Sequence, residues 1–184
     1  MNHKQNILII ESSTRDQGGT QKHIEALMSM HPDVQFEQIT LRHFGLKPFI
    51  DHRKDGDWSF AKEALPLLEK MLRSDLIILA TPLYWFSMSH LMKNFMDYWT
   101  YFMRAGLTPD RYFLSQKKVM TLIVASHLKD IQWAQGSLRS SVEFVHGNVV
   151  FEFIGLADRE GIADESTLKN IRSINIKSLC EEPI

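Results

Sequence analysis

Two stretches of this chain bring together residue types that can do chemistry. The first reads Glu11-Ser-Ser-Thr-Arg-Asp-Gln-Gly-Gly-Thr20. Hydroxyls and backbone N–H groups donate to anionic oxygens, and Arg15 can pair with a phosphate through two parallel hydrogen bonds. Gly18 and Gly19 let the backbone come close to a ligand. A helix starting there adds a field worth roughly 0.3–1 kcal/mol to a nearby anion. The patterns G-x-x-x-x-G-K-[ST] and G-x-G-x-x-G are both absent, which argues against an ordinary P-loop nucleotidase and a Rossmann dinucleotide site. A loop that grips through hydroxyls suits a terminal phosphate monoester. A plain turn with a Ser or Thr helix cap is the alternative.

The second stretch, Ala80-Thr-Pro-Leu-Tyr-Trp-Phe-Ser-Met-Ser89, follows the apolar run Leu76-Ile-Ile-Leu79. A solvated turn would use Gly, Asn, Asp or Ser, yet three aromatics stand in a row. They either pack in the core or wrap a flat apolar ligand, for which Tyr84, Trp85 and Phe86 offer ring surface. Backbone N–H groups from Trp85 to Met88 could meet the polar edge of such a ligand. Pro82 favours an extended Thr81 before it, and Ser87 or Ser89 suits a helix cap. A third stretch, Ala125-Ser-His-Leu-Lys-Asp130, holds Ser126 and His127. His127 either donates to a developing anion or is simply solvated.

Both loops need elements to place them. The runs Ile7–Ile10, Leu76–Leu79, Val119–Ala125 and Val149–Ile154 are short and almost continuously apolar, as strands covered on both faces are. Val34–Leu41 alternates, which suits a strand nearer a sheet edge. Helical patterns cover about 20–30, 58–72 (with Pro66 marking a kink or restart), 90–103, 131–145 and 165–179. The β-α alternation predicts a doubly wound α/β fold with a five-stranded parallel sheet and helices on both faces. Ligands in such sheets bind beyond the carboxyl ends of the strands, where strand order reverses. That places the loops after Ile10, Ala80 and Ala125 together.

At 184 residues, one domain spanning 1–184 is expected. Charges nearly cancel, 21 Lys and Arg against 22 Asp and Glu, so nothing marks a nucleic-acid or anionic-membrane partner. The single cysteine, Cys180, excludes an intrachain disulfide or a multi-cysteine metal site and fits a reducing compartment. The eight histidines show no tight pairing, so no metal site is expected. No apolar run approaches a membrane helix or a signal peptide's core, and the cytoplasm is the expected location.

Thr81-Pro-Leu-Tyr-Trp-Phe-Ser-Met-Ser-His-Leu-Met-Lys-Asn-Phe-Met-Asp97 resembles the [ST]-P-x-Y-[WF]-x-[SGM]-[MP]-x-x-x-[LM]-K-x-[FW]-[LMI]-D signature of NAD(P)H-dependent FMN reductases and related NAD(P)H quinone oxidoreductases, flavoproteins of flavodoxin-like fold. The first loop resembles that family's G-S-x-R-x-x-G-[NG]-T phosphate loop, with one residue inserted. The resemblance implies that Ser12, Thr14, Arg15, Gly18, Gly19 and Thr20 surround the FMN phosphate. It implies that Pro82, Leu83, Tyr84, Trp85, Phe86, Ser87 and Met88 cradle the isoalloxazine ring, and that Ser126 and His127 close the third side. It further implies electron transfer from NAD(P)H through bound FMN to a small acceptor (quinone, flavin, nitro or azo compound) with ping-pong kinetics; a flavodoxin-like electron carrier or a flavin-free binding domain of the same fold is the alternative. Lys93 and Asp97 are expected to fix the helix that follows. Glu11 replaces the family's usual glycine and puts a carboxylate near an expected dianion, so either its side chain turns away or phosphate affinity suffers. Arg104 and Arg111, flanking 105–110, could meet an extra nucleotide phosphate or be solvated. The 91–103 helix shows two apolar stripes (Leu91, Phe95, Tyr98, Phe102 and Met92, Met96, Trp99, Met103), more than one core-facing helix needs. A homodimer through it is expected.

Overall fold

The computed structural model describes residues 5–52, 54, 56–104, 107–108 and 110–181. Five parallel strands form one sheet in the order β2-β1-β3-β4-β5: β1 (Asn6–Glu11), β2 (Gln35–Thr40), β3 (Leu76–Pro82), β4 (Lys118–Ala125) and β5 (Asn148–Leu156). The register places Ile7 to Glu11 between Phe36 to Thr40 on one side and Leu76 to Ala80 on the other. The chain crosses from β2 over β1 to β3, so strand order reverses at the carboxyl end of β1. The β2 strand, read as an edge from its alternation, is an edge.

The period-two projection of strand side chains explains why both faces are apolar. Leu8, Ile10, Ile77 and Leu79 point into one layer, with α3 (Leu65–Arg73), α4 (His90–Asp97), α5 (Trp99–Arg104) and α6 (Gln132–Phe144). Ile7, Ile9, Ile78 and Leu122 point into the other, with α1 (Gly19–Ser29), α7 (Glu165–Arg172) and α8 (Ile176–Glu181). The doubly wound reading therefore stands.

Three local expectations change. The 58–72 helix is a 3₁₀ segment, Ser59–Ala64, followed by α3, with Pro66 in its first turn; the missing proline N–H costs nothing there. The 165–179 helix is two, because Asn175 Oδ1 accepts from the Ser178 N–H and starts α8 afresh. The 90–103 helix is interrupted at Tyr98, where the Tyr98 N–H reaches Phe95 O at 3.2 Å and the Tyr101 N–H reaches Tyr98 O at 2.9 Å. The Tyr98 hydroxyl lies 2.7 Å from the Glu63 carboxylate and 3.0 Å from Lys47 O, which anchors the break to the 3₁₀ segment. The second apolar stripe is not spare either. Met92, Met96 and Trp99 are buried within the chain, with Trp99 edge-on to Phe95 and Phe113. Only Leu91 and Met103 stay half-covered.

A four-residue helix after β2, α2 (Leu41–Phe44), is too short to show a period in sequence. It ends on Gly45 at φ 78°, the left-handed conformation that closes a helix most easily with glycine. Among the described residues no helix is long and apolar enough to cross a membrane. Ala105, Gly106 and Pro109, in the stretch flanked by Arg104 and Arg111, lie outside the described residues.

Candidate active site

The loops after β1, β3 and β4 meet where the fold predicts. A cleft of about 620 Å3 is lined by Ser13, Arg15 and Gly18–Thr20 at one end and by Pro82–Trp85 and Val124–Ser126 along its length. Its remaining wall is Ala157–Arg159 and Gly161, after β5.

At the first loop, two adjacent serines divide the work. Ser12 is buried; its N–H and its hydroxyl both donate to Ala80 O, at 2.9 and 3.0 Å. It stitches β1 to β3 and does not face the cleft, so its expected place around a phosphate is corrected. Ser13 faces the cleft instead, its Oγ accepting from the Arg15 N–H at 3.1 Å. Thr14 Oγ1 lies 3.1 Å from the Tyr84 hydroxyl and ties the first loop to the second. A Cβ on Gly18 would sit 3.4 Å from Arg15 Cβ and 3.7 Å from Ser13 Oγ, filling the cradle. A Cβ on Gly19 would lie 2.4 Å from Ala157 Cβ, so α1 approaches the β5 end only without a side chain. Thr20 is buried at the cleft's floor.

Arg15 donates from Nη1 to Arg159 O at 2.7 Å. Gly161 adopts φ 89°, and a Cβ there would lie 3.4 Å from Gly18 Cα and Gly19 N and 3.7 Å from Arg15 Nη1. Sequence reasoning missed this closing segment. Its signal was present: Asp158-Arg-Glu-Gly161 is a polar, glycine-terminated turn directly after a strand. Behind the loop stands His23, fully buried, with Nδ1–H donating to Gly19 O at 2.8 Å and Nε2 accepting from Thr167 Oγ1 at 2.9 Å. Burial holds its pKa below the ordinary histidine value, against the opposing pull of Gly19 O and Asp164.

Glu11, the expected irritant beside a dianion, does turn away. Its carboxylate accepts from the Ser13 N–H at 2.6 Å and from Arg42 Nη1 at 3.0 Å. Burial pushes its pKa up, while the Ser13 N–H, Arg42 and the Thr40 hydroxyl pull it down. Arg42, on α2, was not foreseen.

The second loop is a tight reversal. Tyr84 and Ser87 exchange backbone hydrogen bonds at 2.9 and 3.0 Å around Trp85 (φ 48°) and Phe86 (φ 61°). Two consecutive left-handed residues define a type I′ turn, which normally takes Asn-Gly. Here both places hold large aromatics, and Trp85 is 93% exposed. The Ser87 N–H is committed to Tyr84 O, which removes it from the set expected to meet a ligand's polar edge. Thr81 Oγ1 accepts from the Ser89 N–H, and Ser89 Oγ caps α4 through the Met92 N–H. Of the two serines proposed as that cap, Ser89 performs it. Lys93 and Asp97 pair along α4, as expected.

A second cleft, about 670 Å3, shares Leu83, Tyr84, Trp85 and Ser126 with the first and adds Ser87, Met88, His90, Lys93 and His127. His127 thus belongs to the neighbouring space, with Phe86 6.2 Å away between ring centroids. Phe86 sits at the tip, half-exposed, and lines neither cleft. Met88 is largely buried. Among the described residues no three His, Cys, Asp or Glu side chains group as a metal site would require.

A reversal of strand order topped by a hydroxyl-rich loop and an aromatic loop defines a flavodoxin-like, flavin-binding class of protein. The family model described as NADPH-dependent FMN reductase matches residues 5–159, and the chain belongs to that family. It is an oxidoreductase with FMN as cofactor and a reduced pyridine nucleotide as donor. A Bacillus subtilis (strain 168) protein named as the NAD(P)H-dependent FMN-containing oxidoreductase YwqN is 27% identical over 154 residues, covering 82% of this chain and 80% of that one. The solved Trp repressor binding protein of Bacillus subtilis superposes with a TM-score of 0.70 at 22% identity, covering 90% of this chain and 95% of that one. An FMN-dependent NADH-azoreductase of Bacillus anthracis, solved with FMN, gives a TM-score of 0.66 at 12% identity, covering 97% of both chains.

The residues present fit FMN. The glycine cradle at Gly18, the Ser13 hydroxyl and the Arg15 guanidinium suit its phosphate, and the apolar length from Pro82 to Trp85 suits a planar ring.

Proposed function

We propose that Ser13, Arg15 and Gly18–Thr20 hold the FMN phosphate and that Pro82–Trp85 with Val124–Ser126 hold its ring. We further propose that donor and acceptor take turns in the second cleft. The observation that carries the reading is one cleft collecting all three loops, polar at one end and apolar along the other. When bound, FMN supplies the hydride and electron chemistry that no side chain here can. The chain's own residues do the rest. Thr14 and Tyr84 lock the two loops together and fix the distance between tail and ring. Trp85 stands between the clefts and shields the ring from water. His127, on the rim of the second cleft, donates a hydrogen bond from its ring N–H to the anion that develops on a reduced acceptor.

The acceptor is a small oxidant of the quinone, flavin, nitro or azo class. One shared position for both substrates gives ping-pong kinetics. One domain, 1–184, acting in the cytoplasm, would carry the whole activity. A homodimer is supported by the groove of about 410 Å3 between α4, α5 and α6. Phe144 stands exposed at that groove, with Met103 half-covered beside it.

The test is reconstitution. Protein loaded with FMN is offered NADH and NADPH with each acceptor class, and initial rates are taken over both concentrations. Parallel double-reciprocal lines support the scheme. Converging lines overturn the shared site, and failure to retain FMN overturns the placement of the cofactor.

A further inference from the structure

Beneath the first loop lies a set of charges that the reading above does not use. Arg42 is the hub. Its Nη1 donates to Glu11 Oε2 at 3.0 Å and to Ser13 O at 3.2 Å, while its Nε donates to Asp16 Oδ1 at 3.1 Å. Glu11 in turn holds the Ser13 N–H. Both backbone polar groups of Ser13 are therefore tied from below, and Asp16 is tied from the side. His43 Nε2 lies 3.9 Å from Asp16, and Thr40, beside Glu11 in the β1–β2 register, completes the surroundings. The Glu11 side chain is almost wholly covered, and that of Arg42 is 20% exposed. An isolated buried carboxylate is costly, so a pair kept here suits a task other than stability.

We propose that Glu11 and Arg42 are positioning residues for the cofactor's phosphate. They brace Ser13–Asp16 in the receiving shape before the ligand arrives, so that binding does not have to order the loop. The proposal rests on the placement of the FMN phosphate given above. It explains a carboxylate next to an anion site. Glu11 acts on the phosphate only through Ser13 and Arg42, and Arg42 balances its charge.

The brace and a simple electrostatic field predict opposite results. Glu11→Gln removes a negative charge close to a phosphate site, and Arg42→Lys keeps the positive charge but cannot span three acceptors. A field alone makes the first variant bind FMN more tightly and leaves the second unchanged. The brace makes both weaker.

The experiment titrates flavin-free full-length protein with FMN and with riboflavin, which lacks the phosphate, and follows quenching of flavin fluorescence. Thermal midpoints control for folding. The ratio of riboflavin to FMN dissociation constants is expected to fall on the order of ten-fold in each variant, about the cost of re-ordering one residue of backbone. Riboflavin affinity itself should stay within about two-fold of the parent, a difference of roughly 0.4 kcal/mol. A ratio that is unchanged or raised in Glu11→Gln overturns the brace, as does equal weakening of both flavins. If the parent protein itself shows no preference for FMN over riboflavin, the phosphate placement fails first and the brace with it.

Discussion

Trp85 offers the sharpest test of where the structure stores strain. Its φ of 48° is one that a residue with a Cβ adopts at a cost of roughly 1–2 kcal/mol. A side chain 93% exposed buries too little surface to offset that cost. Trp85→Gly relieves the backbone and adds back about 0.5–1 kcal/mol of glycine's own entropy. The net expectation for flavin-free protein is a gain of about 0.5–1 kcal/mol. In a domain of this size each kcal/mol moves the thermal midpoint by about 2–4 °C, so the midpoint should rise by about 1–4 °C. FMN binding should weaken in the same variant, because the ring loses its outer wall. The assay is thermal unfolding followed by far-UV circular dichroism, with and without FMN. A lower midpoint in flavin-free Trp85→Gly would show that the indole packs on the protein. Unchanged FMN affinity would show that it does not touch the ring. Either result refutes the reasoning, which takes an exposed, strained aromatic as a sign of function.

Three further expectations follow from the same site. Gly19→Ala places a Cβ 2.4 Å from Ala157 and should destabilise by about 1–3 kcal/mol in a urea titration; an unchanged midpoint would mean that the 157–161 wall moves freely. Ser12→Ala removes a buried hydroxyl that bonds Ala80 O. It should cost about 1 kcal/mol of stability and leave FMN affinity as it was; a large loss of affinity would return Ser12 to the phosphate site. His23 has its pKa depressed by burial, so the unfolded chain takes up its proton first as pH falls. Its contribution to stability is full above about pH 6.5, is lost as pH drops from there towards the folded value, and is flat below that value. Thermal midpoints across this window should fall in the parent and fall less in His23→Gln; identical slopes would contradict the assignment.

The strands were legible because a sheet covered on both faces leaves no polar residue in Leu76–Leu79 and a single one, Thr121, in Val119–Ala125. The loops were legible for the same reason, since strand ends in an alternating β-α chain converge on one side. Phase was harder to read. Ser12 and Ser13 are chemically alike, and the pattern G-S-x-R-x-x-G-[NG]-T laid on 12–20 without an insertion puts its serine on Ser13, the one that lines the cleft. Arg42 escaped because a four-residue helix has no period to detect, and because its partner, Glu11, lies 31 residues away. Trp85 and Phe86 were read as contact surface, but nothing in their identities announced a turn that ordinarily belongs to Asn-Gly. The stripes of the 91–103 helix were legible only in part: Met92, Met96 and Trp99 are buried within the chain, with Phe113 edge-on to Trp99, while Leu91 and Met103 stay half-covered.

The segment beyond β5 bears on how short a working fragment can be. The family match ends at residue 159, but Gly161 lines the cleft beside Gly18 and Gly19, and Thr167 holds the imidazole that steadies Gly19. A chain cut at the family boundary would keep every strand and still lose Gly161 from the wall of its pocket and Thr167 from behind it. Minimised flavin scaffolds built on this sequence should therefore be trimmed no closer than α7.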